Sequence, residues 1–145
     1  MRRRVLALAQ IAPALGDLAR NFAVHEAKVE ESRAAGADLV IFPELSLSGY
    51  QLQDLAPEVA MRRGDPRLQA LAKRTISGPS AVVSFVESSD DHRLFAAAAL
   101  LEGGAVQHVA RKCYLPTYGL FDERRFLAPG DAIRATRASL GGPES

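Results

Sequence analysis

The sequence of 145 residues has one cysteine, Cys113, and no tryptophan. A single cysteine excludes an internal disulfide and a zinc site built from several thiolates. It also fits a reducing compartment, so we predict a cytoplasmic protein. Positive and negative side chains nearly cancel, leaving a formal net charge of +1. No surplus of positive charge is available to attract nucleic acid, so nucleic acid is not an expected partner.

Long apolar runs are also absent, and none approaches the roughly 20 residues of a membrane helix. The start of the chain, three arginines followed by the apolar stretch 5–9, imitates a signal peptide. Gln10 and Pro13 interrupt that stretch early. The period of two shared by Val5, Ala7, Ala9 and Ile11 instead predicts a strand. No histidines and acids have metal-ligand spacing, and no glycine-rich phosphate loop is present, so we expect no metal site.

The rest of the chain alternates between strand and helix patterns, which predicts one α/β domain with about five strands and two helices. The predicted strands are 5–11, 39–42, 81–86, 94–101 and 105–114, with a Gly103-Gly104 hairpin turn before the last. The predicted helices are 17–35 and a shorter one that opens at Asp65-Pro66. The domain is predicted to cover 1–138, with 139–145 as a disordered tail.

One face of the first predicted helix is apolar. The side chains on this face are Leu18, Phe22, His25 and Val29, at spacings of four and three. His25 is most simply interpreted as a histidine of the core or its boundary.

A carboxylate stands at the end of the apolar run 39–42. Glu44 follows Phe42 and Pro43 directly after that predicted strand. Catalytic groups of α/β proteins gather at the carboxyl ends of parallel strands. Glu44 is therefore a candidate general base. Taken alone, it is more simply a solvent-exposed or turn-capping side chain.

A lysine lies near the end of the last predicted strand. The alternation of that strand places four side chains on one face: Val106, His108, Ala110 and Lys112. Beside a carboxylate, Lys112 would stay cationic and could stabilise an oxyanion, whereas the alternative is a lysine that faces solvent. Adjacent strand residues point to opposite faces, so Cys113 is predicted to face away and pack as a small hydrophobe.

The loop after this strand concentrates aromatic rings and acids. Tyr118, Phe121 and Glu123 lie within six residues of one another, around the flexible Gly119. Such a loop can form the wall of a pocket and place a carboxylate beside Lys112. The alternative is a packed surface loop with ordinary ion pairs.

These segments together resemble the amino-terminal half of proteins of the nitrilase superfamily, the carbon–nitrogen hydrolases. The resemblance runs from Val5 to about Asp131. Its motifs are Ala9-Gln10, Gly16-Asp17, Asn21, Phe42-Pro43-Glu44-Leu45, Lys112, Leu115-Pro116, Phe121-Asp122-Glu123, Arg125-Phe126 and Pro129-Gly130. Within the family, segments 44–50 and 114–123 are most similar to the glutamine amidohydrolase domain of glutamine-dependent NAD synthetases. The resemblance implies the amino-terminal half of a four-layer α-β-β-α sandwich.

The resemblance also implies a Glu–Lys–Cys triad that hydrolyses amides through a thioester and needs no cofactor. Glu44 matches the general base and Lys112 matches the cation that stabilises the oxyanion. Glu123 matches a second carboxylate that positions the lysine and the substrate. Tyr118 and Phe121 match loop positions that line the substrate site.

The sequence departs from the family in one respect, because no cysteine follows Cys113. We therefore expect a hydrolase chain that stops before its nucleophile and is inactive alone. Two alternatives stay open: a non-catalytic amide-binding pseudoenzyme, and one half of a split hydrolase completed by another chain. The expected partners are a small amide substrate once the site is complete, and a second copy or a complementing chain.

Overall fold

The computed structural model describes residues 3–140. It contains a five-stranded sheet with the strands side by side in chain order. The strands are β1 (Leu6–Leu8), β2 (Leu39–Ile41), β3 (Ser80–Ser88), β4 (Leu94–Glu102) and β5 (Ala105–Arg111). The helices are α1 (Leu18–Ala34), α2 (Ala56–Val59), α3 (Pro66–Lys73) and α4 (Glu123–Phe126), with a 3₁₀ turn at Gln53–Leu55. The predicted α/β class is confirmed.

The sheet is mixed, and its connections follow the strand order. β1, β2 and β3 pair in parallel, with α1 crossing between β1 and β2. β4 pairs antiparallel to β3, and β5 pairs antiparallel to β4 through the predicted Gly103-Gly104 hairpin. Both hairpin glycines have positive φ, at 60° and 88°, as a tight two-residue turn requires.

The two predicted helices begin where their capping residues place them. The Asp17 carboxylate accepts from the backbone N–H of Arg20 at 3.0 Å, and the Asp65 carboxylate accepts from that of Arg67 at 2.9 Å. The one-turn helices α2 and α4 were not predicted, because a single turn has no period to detect. None of the helices within residues 3–140 is long and apolar enough to cross a membrane.

The helices α1 and α3 cover one face of the sheet and form the main core with it. Val29, Leu68 and Leu71 of these helices are fully buried. They pack with strand residues that share this face, namely Val40, Ala81, Val83, Phe85, Ala97, Ala99, Leu101 and Val109. Ala7, Ala9 and Ile11 pack against the same core, as their period of two predicts.

The opposite face of the sheet is open over much of its area. The apolar run 39–42 predicts a strand covered on both sides, but only Val40 and Phe42 are buried, while Leu39 and Ile41 keep part of their surface. On β1, Leu6 and Leu8 are 58% and 76% exposed. The expectation of two covered faces is therefore wrong for β2 within residues 3–140. The helices α1 and α3 cover the other face, and α2 packs on this face only near Val86 and Ala96.

A bulge in β5 corrects the predicted side-chain alternation. Leu100 pairs with His108 but Leu101 pairs with Val106, so Gln107 is an extra residue. The bulge moves Val106 to the helix-covered face, where it packs against the core. His108, Ala110 and Lys112 lie on the opposite, open face. The predicted shared face is therefore correct for these three residues and wrong for Val106. β5 also ends at Arg111, shorter than the predicted 105–114.

The end of the described chain returns to the sheet. The backbone N–H groups of Ser139 and Leu140 donate to the Glu102 carboxylate at 3.0 and 2.8 Å. The rest of the predicted disordered tail, residues 141–145, lies outside the described residues.

His25 is fully buried in the middle of α1, as predicted for a core histidine. Its ring nitrogens lie 2.7 Å from the Asn21 carbonyl oxygen and 2.9 Å from the Ser46 hydroxyl oxygen. Burial lowers the pKa of His25 to about 4, against an opposing effect of the bond to Asn21. The imidazole is therefore neutral at pH 7.

We propose that the open sheet face is a contact surface, because large exposed apolar patches drive association. We expect the isolated chain to self-associate and Leu8→Lys to reduce association, since Leu8 lies on that face. Ile133→Lys is the matched control, because Ile133 is 81% exposed but lies outside the sheet. Light scattering measures the mass. A compact monomer of the unmodified chain, or equal effects of both substitutions, contradicts the proposal.

A second prediction concerns acid stability. The folded state lowers the pKa of His25 from 6.5 to about 4, so the folded protein binds its proton less readily than the unfolded chain. The stabilisation is therefore present above pH 6.5 and is lost as pH falls towards 4. The pKa shift corresponds to a loss of about 3 kcal/mol in the free energy of unfolding. Urea unfolding of the unmodified protein and of His25→Phe across this range should show a pH-dependent difference. Parallel profiles would contradict the prediction.

Candidate active site

The topology delivers Glu44 and Lys112 to the same edge of the sheet. β5 is antiparallel to β4, which is antiparallel to β3, so β5 runs in the same direction as β2. Glu44 comes after the carboxyl end of β2 and Lys112 comes directly after that of β5. The backbone N–H of Lys112 still donates to the Ala96 carbonyl at 2.8 Å, which keeps the lysine tied to the sheet.

Lys112 binds two carboxylates. Its Nζ lies 2.7 Å from Glu44 Oε1 and 3.0 Å from Glu123 Oε1. The Lys112 side chain is 28% exposed, that of Glu44 is 46% exposed, and that of Glu123 is 7% exposed. The lysine therefore bridges a nearly buried carboxylate and one that solvent or a ligand can reach.

Small side chains allow this contact to form across two intervening strands. A pocket on the open face of the sheet contains both Glu44 and Lys112. Its floor includes Ser84 of β3, Ala96 and Ala98 of β4, and Ala110 of β5. Larger residues at these positions would fill the space between the two charged groups. The pocket connects the charged site to the open sheet face.

The backbone beside Glu44 adopts an unusual conformation. Leu45 has φ of +48° although it has a side chain and is buried. A non-glycine residue in this region is strained and is held there by its surroundings. Gly49 closes the same loop at φ +84°, and a Cβ at this position would lie 3.1 Å from the Leu15 Cα. The loop 44–49 is thus packed tightly against the segment before α1.

Glu123 is the first residue of α4 and has a partner that the sequence analysis did not assign. The Tyr50 hydroxyl donates to Glu123 Oε1, the same oxygen that accepts from Lys112. Glu123 Oε2 is buried without a hydrogen-bond partner among the described residues. Tyr50 and Glu123 are far apart in the chain, so no local sequence pattern reveals their contact.

The charges in the site favour a cationic lysine and a neutral tyrosine. Burial alone would lower the pKa of Lys112, but the hydrogen bonds and charges of Glu44 and Glu123 outweigh burial and raise it. Burial raises the pKa of Tyr50, and the hydrogen bond to Glu123 and the charges of Glu123 and Glu44 raise it further. Lys112 is therefore an ammonium and Tyr50 a hydrogen-bond donor at neutral pH.

The aromatic loop lies beside this group of charges. Phe121 contacts Tyr50 edge to face, with ring centroids 6.0 Å apart, and contacts Tyr118 in the same way at 5.8 Å. Tyr118 is 73% exposed and Phe121 is 40% exposed. The structure thus brings both predicted substrate-binding rings to the rim of the site, where a ligand can reach them.

Among residues 3–140, Cys113 is hydrogen-bonded to a backbone carbonyl and not to Glu44. Its thiol donates to the Arg111 carbonyl, with the sulfur 3.6 Å from the oxygen. The side chain is half-buried but belongs to neither hydrophobic cluster, so its predicted packing as a small hydrophobe is not observed. Cys113 and Lys112 do border one shallow pocket with Tyr114 and Tyr118.

The residue before Lys112 is anchored on the helix-covered face of the sheet. Arg111 binds the buried Glu87 through two nitrogens, at 2.7 and 3.1 Å, and its guanidinium lies 3.9 Å from the centroid of the Phe95 ring. Because neighbouring residues of an extended chain alternate, this anchor directs Lys112 towards the open face. Between residues 3 and 140, no group of His, Cys, Asp and Glu has an arrangement that can hold a metal ion.

Comparison with protein families identifies a match over most of the chain. Residues 5–142 match the family described as carbon-nitrogen hydrolase. The glutamine-dependent NAD(+) synthetase of Thermotoga maritima is 39% identical over 137 residues, which is 92% of this chain and 23% of that protein. The enzyme of the same name from Acinetobacter baylyi is 33% identical over 131 residues, 90% of this chain and 24% of that protein. The chain thus spans about a quarter of the length of these relatives.

Solved structures give the same fold. The glutamine-dependent NAD+ synthetase of Acinetobacter baumannii superposes with a TM-score of 0.78 at 31% identity, over 94% of this chain and 26% of that one. An amidase from Nesterenkonia sp. superposes with a TM-score of 0.77 at 23% identity, over 94% of this chain and 51% of that one. These comparisons confirm the predicted nitrilase-type fold.

The lysine bridge generates a stability prediction. Lys112→Met keeps the length of the side chain but leaves the nearly buried Glu123 without its cation. We expect the free energy of unfolding to fall by about 1–3 kcal/mol in urea titrations at pH 7, as for a buried hydrogen-bonding group that loses a partner, since Glu123 keeps its bond from Tyr50. Because the pKa of Lys112 is raised above 10.5, this contribution should disappear as pH rises through the raised value.

The control for this substitution is Lys28→Met. Lys28 pairs with Glu31 on the exposed surface of α1, at 2.5 Å. Exposed pairs contribute little, so its loss should change stability by less than about 0.5 kcal/mol. Equal effects of the two substitutions would show that Glu123 does not depend on Lys112.

Proposed function

Because this chain belongs to the carbon–nitrogen hydrolase family, we propose that it supplies the base and the oxyanion-stabilising cation of an amide-hydrolysing site. The observation that carries the proposal is the position of Lys112 between Glu44 and Glu123. We propose the side-chain amide of glutamine as the substrate. The similarity to glutamine-dependent NAD(+) synthetases supports this choice, whereas the amidase likeness at 23% identity concerns the fold alone.

The geometry supports a separate role for each charged group. An ammonium has three N–H donors, and Lys112 uses two of them on Glu44 and Glu123, so the third is available to a developing oxyanion. Glu44 is the more exposed carboxylate and is the one to exchange protons with the reactants. Glu123 and Tyr50 hold the lysine in place, and the rings of Tyr118 and Phe121 line the entrance.

The reaction proposed for the site needs a thiol. The thiol gives its proton to Glu44, and its sulfur bonds to the amide carbon while the carbonyl oxygen accepts charge beside Lys112. The carbon–nitrogen bond then breaks as Glu44 returns the proton to the leaving nitrogen, which releases ammonia and leaves a thioester. A water molecule activated by Glu44 hydrolyses the thioester and restores the thiol.

Cys113 does not fit the role of this thiol, because among the described residues its thiol donates its hydrogen bond to the Arg111 carbonyl and not to Glu44. We propose that the thiol reaches the pocket from the open side of the sheet. Either more of the same polypeptide or a complementing chain can supply it. We also propose that the protein is cytoplasmic and that it associates with such a partner.

One alternative function is supported by the same observation. A protein with the Glu44–Lys112 pair but no thiol in reach is suited to bind an amide without hydrolysing it. Calorimetry with glutamine and an ammonia assay on the same sample distinguish the two functions. Saturable binding without ammonia release, even after a thiol-bearing partner is added, favours the binding protein.

We predict that the isolated chain releases no ammonia from glutamine or simple amides. Hydrolysis should appear when the rest of the sandwich is supplied, from the continued reading frame or a related protein. Lys112→Ala should then lower the rate by about 10²–10³, because an oxyanion donor is lost. Glu44→Gln should abolish turnover, since the thiol loses its base.

Cys113→Ser is the control, and it should leave the restored activity nearly unchanged. Ammonia release by the isolated chain that disappears in Cys113→Ser would assign the nucleophile to Cys113 and overturn this part of the proposal. A reconstituted enzyme that tolerates Glu44→Gln or Lys112→Ala would overturn the assigned roles.

A further inference from the structure

His25 contacts the chain on both sides of Glu44. Its ring stacks on Phe42, with centroids 4.1 Å apart and planes at 20°. Its Nε2 lies 2.9 Å from the Ser46 hydroxyl oxygen. Phe42 precedes Glu44 by two residues and Ser46 follows it by two, so one buried ring holds both ends of the segment that carries the carboxylate.

The two partners of His25 determine which of its ring nitrogens donates a hydrogen bond and which accepts one. The Asn21 carbonyl can only accept, so the proton of the neutral ring is on Nδ1. Nε2 then accepts from the Ser46 hydroxyl, and the Ser46 oxygen accepts from the backbone N–H of Ser84 at 3.3 Å. The other acceptor near that hydroxyl, the Ser84 carbonyl, is more distant at 3.5 Å. This chain of bonds connects α1, the loop and β3.

Asn21 adds a second connection from the same helix turn. Its Nδ2 donates to the Leu47 carbonyl at 3.0 Å and to the Ala14 carbonyl at 2.8 Å. Its Oδ1 accepts from the Ala14 backbone N–H at 2.8 Å. The loop after Glu44 and the segment before α1 are therefore both bonded to buried groups of one helix.

This arrangement is needed because the Glu44 side chain is not fixed by its own packing. It is 46% exposed, and its one hydrogen-bond partner among the described residues is Lys112. The strained Leu45 that follows it has to be held by other parts of the structure. The direction of the carboxylate is consequently set by the backbone on which it stands.

We propose that His25 is a positioning residue, which through its bond to Ser46 and its stack on Phe42 directs Glu44 towards Lys112. The inference rests on the proposed role of Glu44 as base. It assigns to α1 a part in aligning the site, although among the described residues no side chain of this helix is hydrogen-bonded or ion-paired with Glu44, Lys112 or Glu123. Its direct consequence is that loss of the His25–Ser46 bond weakens the Glu44–Lys112 contact.

The pKa of Lys112 reports on that contact without any turnover. Glu44 is one of the two groups that raise this pKa, so a displaced Glu44 allows it to fall. The lysines of the chain are Lys28, Lys73 and Lys112, so carbon-13 labelling of lysine side chains gives a simple spectrum that can be followed in the full chain during an alkaline titration. Lys112→Met identifies the signal.

The variants are Ser46→Ala, which removes the hydroxyl, His25→Phe, which keeps an aromatic ring against Phe42, and the two combined. Each should shift the pKa of Lys112 downwards. The combination should shift it no further than His25→Phe does, because the two substitutions remove the same hydrogen bond between His25 and Ser46. Val29→Ala is the control, since Val29 is a fully buried residue one turn further along α1 whose side chain has no polar group to hydrogen-bond to the loop. It should destabilise the protein without changing the Lys112 pKa.

Nitrogen-15 spectra of the unmodified chain should show the proton of His25 on Nδ1. A proton on Nε2 overturns the proposal, and so does a Lys112 pKa that moves no more in Ser46→Ala and His25→Phe than in Val29→Ala. If one variant fails to fold, the other and the nitrogen spectrum still decide the question. Absence of hydrolysis would count against the proposed function but not against this result.

Discussion

The structure depends on one contact, the bridge from Lys112 to the carboxylates of Glu44 and Glu123. It joins the end of β2, the end of β5 and the start of α4, which are distant in the sequence. The parallel direction of β2 and β5 makes the contact possible, because both strands finish at one edge of the sheet. The small residues of β3, β4 and β5 then leave room for the two side chains to meet.

The bridge also explains why the site combines a buried and an accessible acid. A lysine paired only with an exposed carboxylate would gain little from the pair. A lysine paired only with a buried carboxylate would have no solvent-accessible carboxylate beside it. Glu123, held by Tyr50, keeps the ammonium charged and in place, while Glu44 borders the pocket and uses one of its oxygens to bind Lys112.

The sequence predicts most of the fold because each element has a local cause. Period-two alternation, capping aspartates and the Gly-Gly turn fix strands, helix starts and the hairpin within a few residues. The bulge at Gln107 escapes such reasoning, because an extra residue in a strand leaves no mark in the apolar pattern. The contact of Tyr50 with Glu123 and that of His25 with Ser46 escape it too, since they join distant segments through hydrogen bonds.

The two faces of the sheet have different roles. On the covered face, α1 and α3 bury the apolar core, and α1 also bonds to the loop behind Glu44. On the other face, the same sheet presents the charged site next to apolar strands that remain exposed. A site in this position can be rigid on one side and open on the other. In the proposed site the helix layer sets the direction of Glu44, and a group that arrives at the open face meets a carboxylate and an ammonium that are already in contact.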